Sequence, residues 1–275
     1  AYVTNELGRY KVRVMDFESG KRKTVLRGGY KSVDKITDTS FPLIDWADDG
    51  GLLSVVYEFK DDMYMLDYNI KDKIKEKVKI EKFQKILDFS YMGNNEYILI
   101  SAVNKGQSDI YTMYKPTQRL KRLTNDPFDD LEPKHVKGSG FEGILYVSNR
   151  NNDTLNLPAN TFFDMHEFDV YYYDLQKKRE TLARITETPG VREKSPMPYN
   201  QSHFSYLSDN GRLTYNIYVS RLDSVFARYD TLVKFKEEVK VNPNIPLEVL
   251  NSAPNDSIDS WSLKEVYRHI GRGFC

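Results

Sequence analysis

Polar and apolar residues alternate along five short segments of the chain: Tyr10-Lys11-Val12-Arg13-Val14-Met15-Asp16, Asp62-Met63-Tyr64-Met65-Leu66-Asp67, Asp109-Ile110-Tyr111-Thr112-Met113-Tyr114, Asp169-Val170-Tyr171-Tyr172-Tyr173-Asp174 and Asn216-Ile217-Tyr218-Val219-Ser220. A period near two sends successive side chains to opposite faces of an extended backbone, so each segment predicts a β-strand. Aligned on Val12, Met63, Ile110, Val170 and Ile217, they recur at intervals of 51, 47, 60 and 47 residues. The chain is therefore a repeat of one unit.

Each anchor strand is preceded by a second apolar strand ending in small polar residues, as in Leu52-Leu53-Ser54-Val55-Val56-Tyr57, Tyr97-Ile98-Leu99-Ile100-Ser101-Ala102 and Ile144-Leu145-Tyr146-Val147-Ser148-Asn149. Asp48-Asp49-Gly50-Gly51, Gly93-Asn94-Asn95 and Lys105-Gly106 tolerate positive φ and supply turns between strands. A short strand follows each anchor, among them Lys75-Glu76-Lys77-Val78-Lys79-Ile80 and Gln118-Arg119-Leu120-Lys121-Arg122-Leu123. Another comes first in the unit, near Leu43-Ile44-Asp45-Trp46 and Ile86-Leu87-Asp88-Phe89-Ser90, with weaker versions near Pro133 and Pro196. Four antiparallel strands per unit make a propeller blade.

The expected fold is all-β: a β-propeller of four-stranded antiparallel blades, about five to six in number, over residues 1–241. The blades span about 1–37, 38–82, 83–127, 128–190 and 191–241. The first lacks its inner strand, which comes either from a late segment such as Ile245-Pro246-Leu247-Glu248-Val249-Leu250 or from upstream of Ala1. The 60-residue interval implies an insertion, Asn151 to Glu167, between the second and third strands of its blade. Residues 242–275 read as a C-terminal extension or linker, with Ser262-Leu263-Lys264-Glu265 as the capping box of a short helix running towards Ile270.

Composition sharpens this picture at a few points. Twenty Tyr and 14 Phe against two Trp suit pleated, half-buried surfaces. Forty basic and 40 acidic residues cancel, so no global field favours nucleic acid or an anionic membrane. No apolar run approaches a membrane span, and Ala1 to Arg9 lack the pattern of a signal peptide. Cys275 is the sole cysteine and makes no internal disulfide.

Ser108-Asp109-Ile110-Tyr111, followed by Leu120-Lys121-Arg122-Leu123-Thr124-Asn125-Asp126-Pro127-Phe128-Asp129-Asp130-Leu131-Glu132-Pro133, resembles the repeat of TolB-type, WD-repeat-like propellers. There an S-D-I-Y strand leads through R-L-T to an acidic turn with a closing Pro. Ile144 to Arg150 is similar to that repeat's I-x-F-x-S-x-R strand, and Arg184-Ile185-Thr186-Glu187-Thr188-Pro189 and Trp46-Ala47-Asp48-Asp49-Gly50 are partial echoes. The wording also resembles the propeller region of long envelope proteins of Bacteroidota-type bacteria. The resemblance implies a periplasmic or cell-envelope location and a non-catalytic scaffold for protein partners, within a larger protein or complex. An alternative it leaves open is the accessory, gating propeller of a peptidase whose catalytic domain lies outside the chain.

Candidate chemistry is sparse. No G-x-S-x-G elbow occurs, and Gly138-Ser139-Gly140 sits where a hairpin turn is expected. His135, His166, His203 and His269 have no zinc spacing, and no phosphate-binding loop is present, so neither metal, cofactor nor small-molecule ligand is expected. Two acidic groups, Asp45 with Asp48 and Asp49, and Asp126 with Asp129, Asp130 and Glu132, do not follow a calcium-loop pattern, and a structural role is expected; for the second, the resemblance implies a blade-to-blade turn whose Asp side chains accept backbone N–H bonds. The basic run Lys71 to Lys82 reads as the solvated face of an edge strand. For partner contact the expectation falls on the insertion, with Phe162, Phe163 and His166 as anchors.

Overall fold

The computed structural model describes residues 1–6, 9–29, 41–138, 141–150, 167–176, 182–209, 214–235 and 258–274. They form five antiparallel sheets whose strands follow one another in chain order. Sheet one is β1 (Tyr2–Glu6), β2 (Arg9–Met15) and β3 (Arg22–Gly29). Sheet two is β4 (Leu43–Trp46), β5 (Leu52–Phe59), β6 (Asp62–Asn69) and β7 (Lys75–Ile80). Sheet three is β8 (Lys85–Met92), β9 (Asn94–Asn104), β10 (Gln107–Tyr114) and β11 (Arg119–Arg122). Sheet four is β12 (Asp130–Gly138), β13 (Phe141–Ser148), β14 (Asp169–Asp174) and β15 (Leu182–Arg184). Sheet five is β16 (Glu193–Pro198), β17 (His203–Ser208), β18 (Asn216–Phe235) and β19 (Ile258–Phe274). The anchor segments are the third strands of their sheets, and the second strand of sheet one.

Alternation along the central strands explains how the sheets assemble. On β9, Ile98, Ile100 and Ala102 join a core with Val56, Met63 and Met65 of sheet two, whereas Leu99 joins a core with Ile144, Tyr146 and Tyr171 of sheet four. On β14, Tyr171 and Tyr173 face sheet three, and Val170 and Tyr172 pack with Phe204 and Leu222 of sheet five. Val12 and Val25 close the series by packing with Leu53, Val55 and Tyr57. Among the described residues, sheets two, three and four therefore each pack against a neighbour on both faces, because a one-residue step moves a side chain from one core to the next. The first strands β4, β8, β12 and β16 lie successively against one another, so the sheets radiate from a shared line.

Polar bonds cross between the sheets. Lys115 at the end of β10 meets Asp67 of β6 at 2.8 Å and donates to the Tyr91 hydroxyl at 2.7 Å, and Tyr91 in turn lies 2.5 Å from the Ser54 hydroxyl. The Ser90 and Ser101 hydroxyls donate to the carbonyls of Pro133 and Asp130 at 2.6 and 2.8 Å, tying sheet three to β12.

The turns follow the expected chemistry at Lys105 and Gly106, both with positive φ (56° and 81°), which reverse β9 into β10. A second such reversal uses Lys60 and Asp61 (φ 54° and 65°), with no glycine to announce it. Glu132 and Ser195 also have positive φ, 53° and 54°. Each precedes a proline in a first strand, where the missing N–H interrupts the ladder and the register shifts, between Leu131 and Lys134 and between Lys194 and Met197.

One element differs from expectation. Where a short helix is expected from Ser262 towards Ile270, the chain forms β19, paired antiparallel with β18 from Val219↔Phe274 to Phe235↔Ile258. An isolated two-turn helix has an unfavourable nucleus to overcome. The same residues, rich in β-branched and aromatic types, instead complete the ladder that the outer edge of β18 offers. No helix occurs among the described residues.

Candidate functional site

The repeated motif folds into a repeated clasp. In sheet three, Arg122 lies across from Tyr111 in the β10–β11 ladder and reaches Asp109, two residues earlier. Its Nε donates to the Thr124 carbonyl at 2.9 Å, and the Thr124 hydroxyl accepts the Ile110 N–H at 3.0 Å. In sheet four, Arg184 lies across from Tyr171 and donates to Asp169 at 3.0 Å, and the Thr186 hydroxyl accepts the Val170 N–H at 2.8 Å. Asp62 and Lys79 form the solvent-facing version in sheet two at 3.0 Å. Burial pushes the Asp109 carboxyl up to about 6 against the opposing pull of Arg122. These clasps close the third strand onto the fourth.

The deepest charge cluster lies where sheet three hands over to sheet four. Arg150 is fully buried; its Nη2 donates to Asp126 at 3.0 Å and to Asp130 at 2.9 Å, and its Nε donates to the Ser148 hydroxyl at 3.0 Å. Phe128, Tyr146 and Tyr171 surround the guanidinium, with ring centres 5.3, 5.8 and 5.6 Å away. Tyr171 donates its hydroxyl to the Arg150 carbonyl at 2.6 Å. Burial, and then repulsion from Asp130, push the Asp126 carboxyl up to about 6 despite the arginine. The expected acidic cluster thus divides. Asp126 also accepts the Phe128 N–H at 3.2 Å, Asp129 accepts the Ser108 hydroxyl, and Glu132 accepts the Ser195 N–H of sheet five.

Arg150 is also the last described residue before the insertion, and the chain returns at Glu167 and Phe168. Phe168 is buried, bridges Arg192 in parallel and carries the Arg192 guanidinium 4.8 Å above its ring. Glu167 accepts the Gly190 N–H at 2.7 Å. Both feet of the insertion are therefore anchored. Phe162, Phe163 and His166 lie outside the described residues.

Beside the second foot, between sheets four and five, is a cavity of about 230 Å³ lined by Leu131, Glu132, Val147, Phe168, Arg192, Glu193, Lys194 and Tyr215. Leu131 faces Val147 in the β12–β13 ladder, beside the end of β13 from which the insertion springs. Lys194 sits 3.5 Å from the centre of the Tyr215 ring. Glu193 is buried and receives bonds from the Thr186 hydroxyl and, at 3.3 Å, the Val170 N–H. Burial pushes its carboxyl up to about 7, with Asp169 adding to the rise and Thr186 opposing it.

Along the first strands, Asp45 accepts the Tyr91 N–H at 3.0 Å, and Lys134 reaches Asp88 at 3.4 Å. Burial raises both carboxyls. In the first acidic group, Asp49 accepts the Gly51 N–H at 2.8 Å and the Asn95 amide at 3.0 Å, an ordinary turn role. His135 pairs with Glu142 at 3.1 Å, and His203 closes a local turn through Asn200. Among the described residues no three His, Cys, Asp or Glu side chains gather to hold a metal ion, and no helix is long and apolar enough to cross a membrane.

Neither a family model nor a curated protein sequence matches the chain. Solved structures do. TolB from Acinetobacter baumannii superposes with a TM-score of 0.57 at 15% identity, over 77% of this chain and 46% of that one. A second structure, named as a TolB from Agrobacterium tumefaciens, gives 0.51 at 18% identity, over 77% and 65%. The fold is that of a TolB-like β-propeller. The chain spans about half to two thirds of the length of these two TolB proteins. The propeller domain of the Trilobed protease from Pyrococcus furiosus is less similar, at 0.43 and 8% identity over 77% and 74%.

As a TolB-like propeller, the chain uses its signature residues as fasteners. The acidic and basic letters of the repeat hold strand to strand and sheet to sheet. Arg192, Tyr215 and Glu193, which no motif marks out, line the cavity at the rim. Sequence reasoning missed them because the cavity exists only once two sheets are brought face to face.

Proposed function

We propose that this chain is a non-catalytic β-propeller that serves as a protein–protein interaction scaffold in the bacterial cell envelope, as part of a larger protein or complex. The observation that carries the reading is the anchoring of both feet of the 151–166 segment, Arg150 by two buried carboxylates and Phe168 by the Arg192 bridge. A recognition loop on a rigid frame loses less entropy on binding than one on a yielding frame. The envelope location and the scaffold role draw support from the TolB resemblance of the repeat and of the fold.

Phe162, Phe163 and His166 serve as the contact residues of that segment. The test is a triple substitution, Phe162→Ser, Phe163→Ser and His166→Ala, compared with the unaltered chain in quantitative capture of envelope proteins. Proteins captured by the unaltered chain and lost by the variant support the role; an identical captured set at equal yield removes it. Equal urea midpoints for the two chains verify that the fold is intact.

A further inference from the structure

Several described cations have a carboxylate in reach: Arg150 has Asp126 and Asp130, Arg122 has Asp109, Arg184 has Asp169, Lys115 has Asp67 and Lys134 has Asp88. Arg192 and Lys194, like Lys23 over Tyr68 and Lys77 over Tyr64, rest on aromatic rings instead, and they share one cavity. Each side chain lies on an aromatic face, Arg192 over Phe168 and Lys194 over Tyr215, and neither side chain forms an ion pair among the described residues, the Asp209 carboxylate accepting from Arg192 the backbone N–H at 3.1 Å. An aromatic face orients a cation without cancelling its charge. Arg192, in its bridge to Phe168, immediately precedes β16 and Lys194 is the second residue of that strand, so extended-chain alternation directs the two to the same side.

Both line the cavity between sheets four and five. Its two carboxylates form no ion pair with either: Glu132 accepts the Ser195 N–H, and Glu193 the Thr186 hydroxyl and the Val170 N–H. The rest of the lining is Leu131, Val147, Phe168 and Tyr215, with Val147 and Phe168 buried. At about 230 Å³ the cavity is smaller than the sites that enclose drug-sized ligands and suits a single side chain. Two nearby carboxylates disfavour a dianion such as phosphate. What remains is a monoanion directly beside an apolar group.

We propose that this cavity receives the C-terminal residue of a partner peptide, its terminal carboxylate held between Arg192 and Lys194 and its apolar side chain lodged against Leu131, Val147, Phe168 and Tyr215. Capture of a chain terminus by cationic and amide donors is an established mode of peptide recognition. The proposal rests on the reading of this rim as a binding surface and adds the chemistry of what is bound.

The test uses the whole chain and fluorescein-labelled Ala-Ala-Ala-Leu, followed by fluorescence anisotropy. The peptide is prepared as free acid and as C-terminal amide, beside an amidated peptide with an internal Asp. The free acid is expected to bind about tenfold or more tightly than the amide, because the amide forfeits both charge-assisted contacts. Arg192→Gln abolishes that preference without moving the urea midpoint, and Arg192→Lys restores part of it. Equal binding of acid and amide, or binding of neither at millimolar concentration, overturns the proposal. So does an internal-Asp peptide that binds as tightly as the free acid, which would assign the site to acidic side chains instead. The variant carrying the Phe162, Phe163 and His166 substitutions keeps the acid-over-amide preference, so the loop reading and the cavity reading fail separately.

Discussion

Replacing Arg150 with Met tests whether one buried cation holds sheets three and four together. The substitution keeps most of the aliphatic stem beside Phe128, Tyr146 and Tyr171 but leaves the Asp126 and Asp130 side chains, 1% and 0% exposed, without their cation. Removing one partner of a buried ion pair costs about 3–5 kcal/mol, most of it from stranding the remaining charge. With an m-value of about 3 kcal/mol/M the urea midpoint falls by about 1–2 M, read from tryptophan fluorescence. The loss also depends on pH. Asp126 already sits near 6 with the arginine in place, so without it the pair takes up protons on folding. At pH 5 the variant therefore recovers at least about 1 kcal/mol relative to pH 7.5, one pKa unit being worth about 1.4 kcal/mol. Adding Asp126→Asn and Asp130→Asn to Arg150→Met removes the stranded charge and restores part of the midpoint. A loss below about 1 kcal/mol, or one of equal size at both pH values, would refute the argument.

The clasp predicts that Thr124→Val lowers stability by about 1–2 kcal/mol by leaving the buried Ile110 N–H without its 3.0 Å acceptor, whereas Thr124→Ser costs less; urea midpoints decide. Gly143→Ala would bring a Cβ to 2.4 Å from the Tyr172 ring and the Tyr173 carbonyl, so a loss of about 1–3 kcal/mol is expected and a neutral result would contradict the packing of β13 on β14. Glu193 is faced by Asp169 from β14 and by Thr186 and Thr188 beyond β15, with its carboxyl raised from 4.5 to about 7. The folded state therefore binds the extra proton, and the associated stability, at most about 3 kcal/mol, is complete below pH 4.5 and is lost as pH rises through 7. Glu193→Gln flattens the decline in thermal midpoint between pH 5 and 8, and an unchanged slope would assign it to other groups.

The repeat was legible because hydrogen-bond geometry demands particular residues at set intervals. Asp109 and Asp169 each lie two positions before the residue that pairs with Arg122 or Arg184, and Thr124 and Thr186 then cap the following amide. Any chain closing its third strand this way carries the same letters, and sequence spacing registers them. The tail was not legible in the same way. The capping-box spacing at Ser262 is local information, whereas β19 depends on the open edge of β18, some forty residues earlier by chain. The Lys60–Asp61 reversal escaped notice for a related reason, since nothing in two charged residues announces positive φ.

The candidate site marks a deeper boundary. Asp126, Asp129, Asp130 and Glu132 stand together in sequence, yet their side chains serve three different partners: Arg150, Ser108 and the Ser195 N–H. Those partners lie 20 or more residues away: Arg150 just beyond the second strand of sheet four, Ser108 in the third strand of sheet three and Ser195 in the first strand of sheet five. Proximity in the chain therefore overstated the case for a cluster. Arg192 and Lys194 show the converse: ordinary charged residues in sequence, they become a pair of oriented cations outside any described ion pair only because Phe168 of one sheet and Tyr215 of the next supply ring faces instead of carboxylates. In a propeller the information that builds a fastener is carried within one repeat or across one junction. A binding site at a junction depends on how two repeats have diverged, and the most informative residues there are those that depart from the motif.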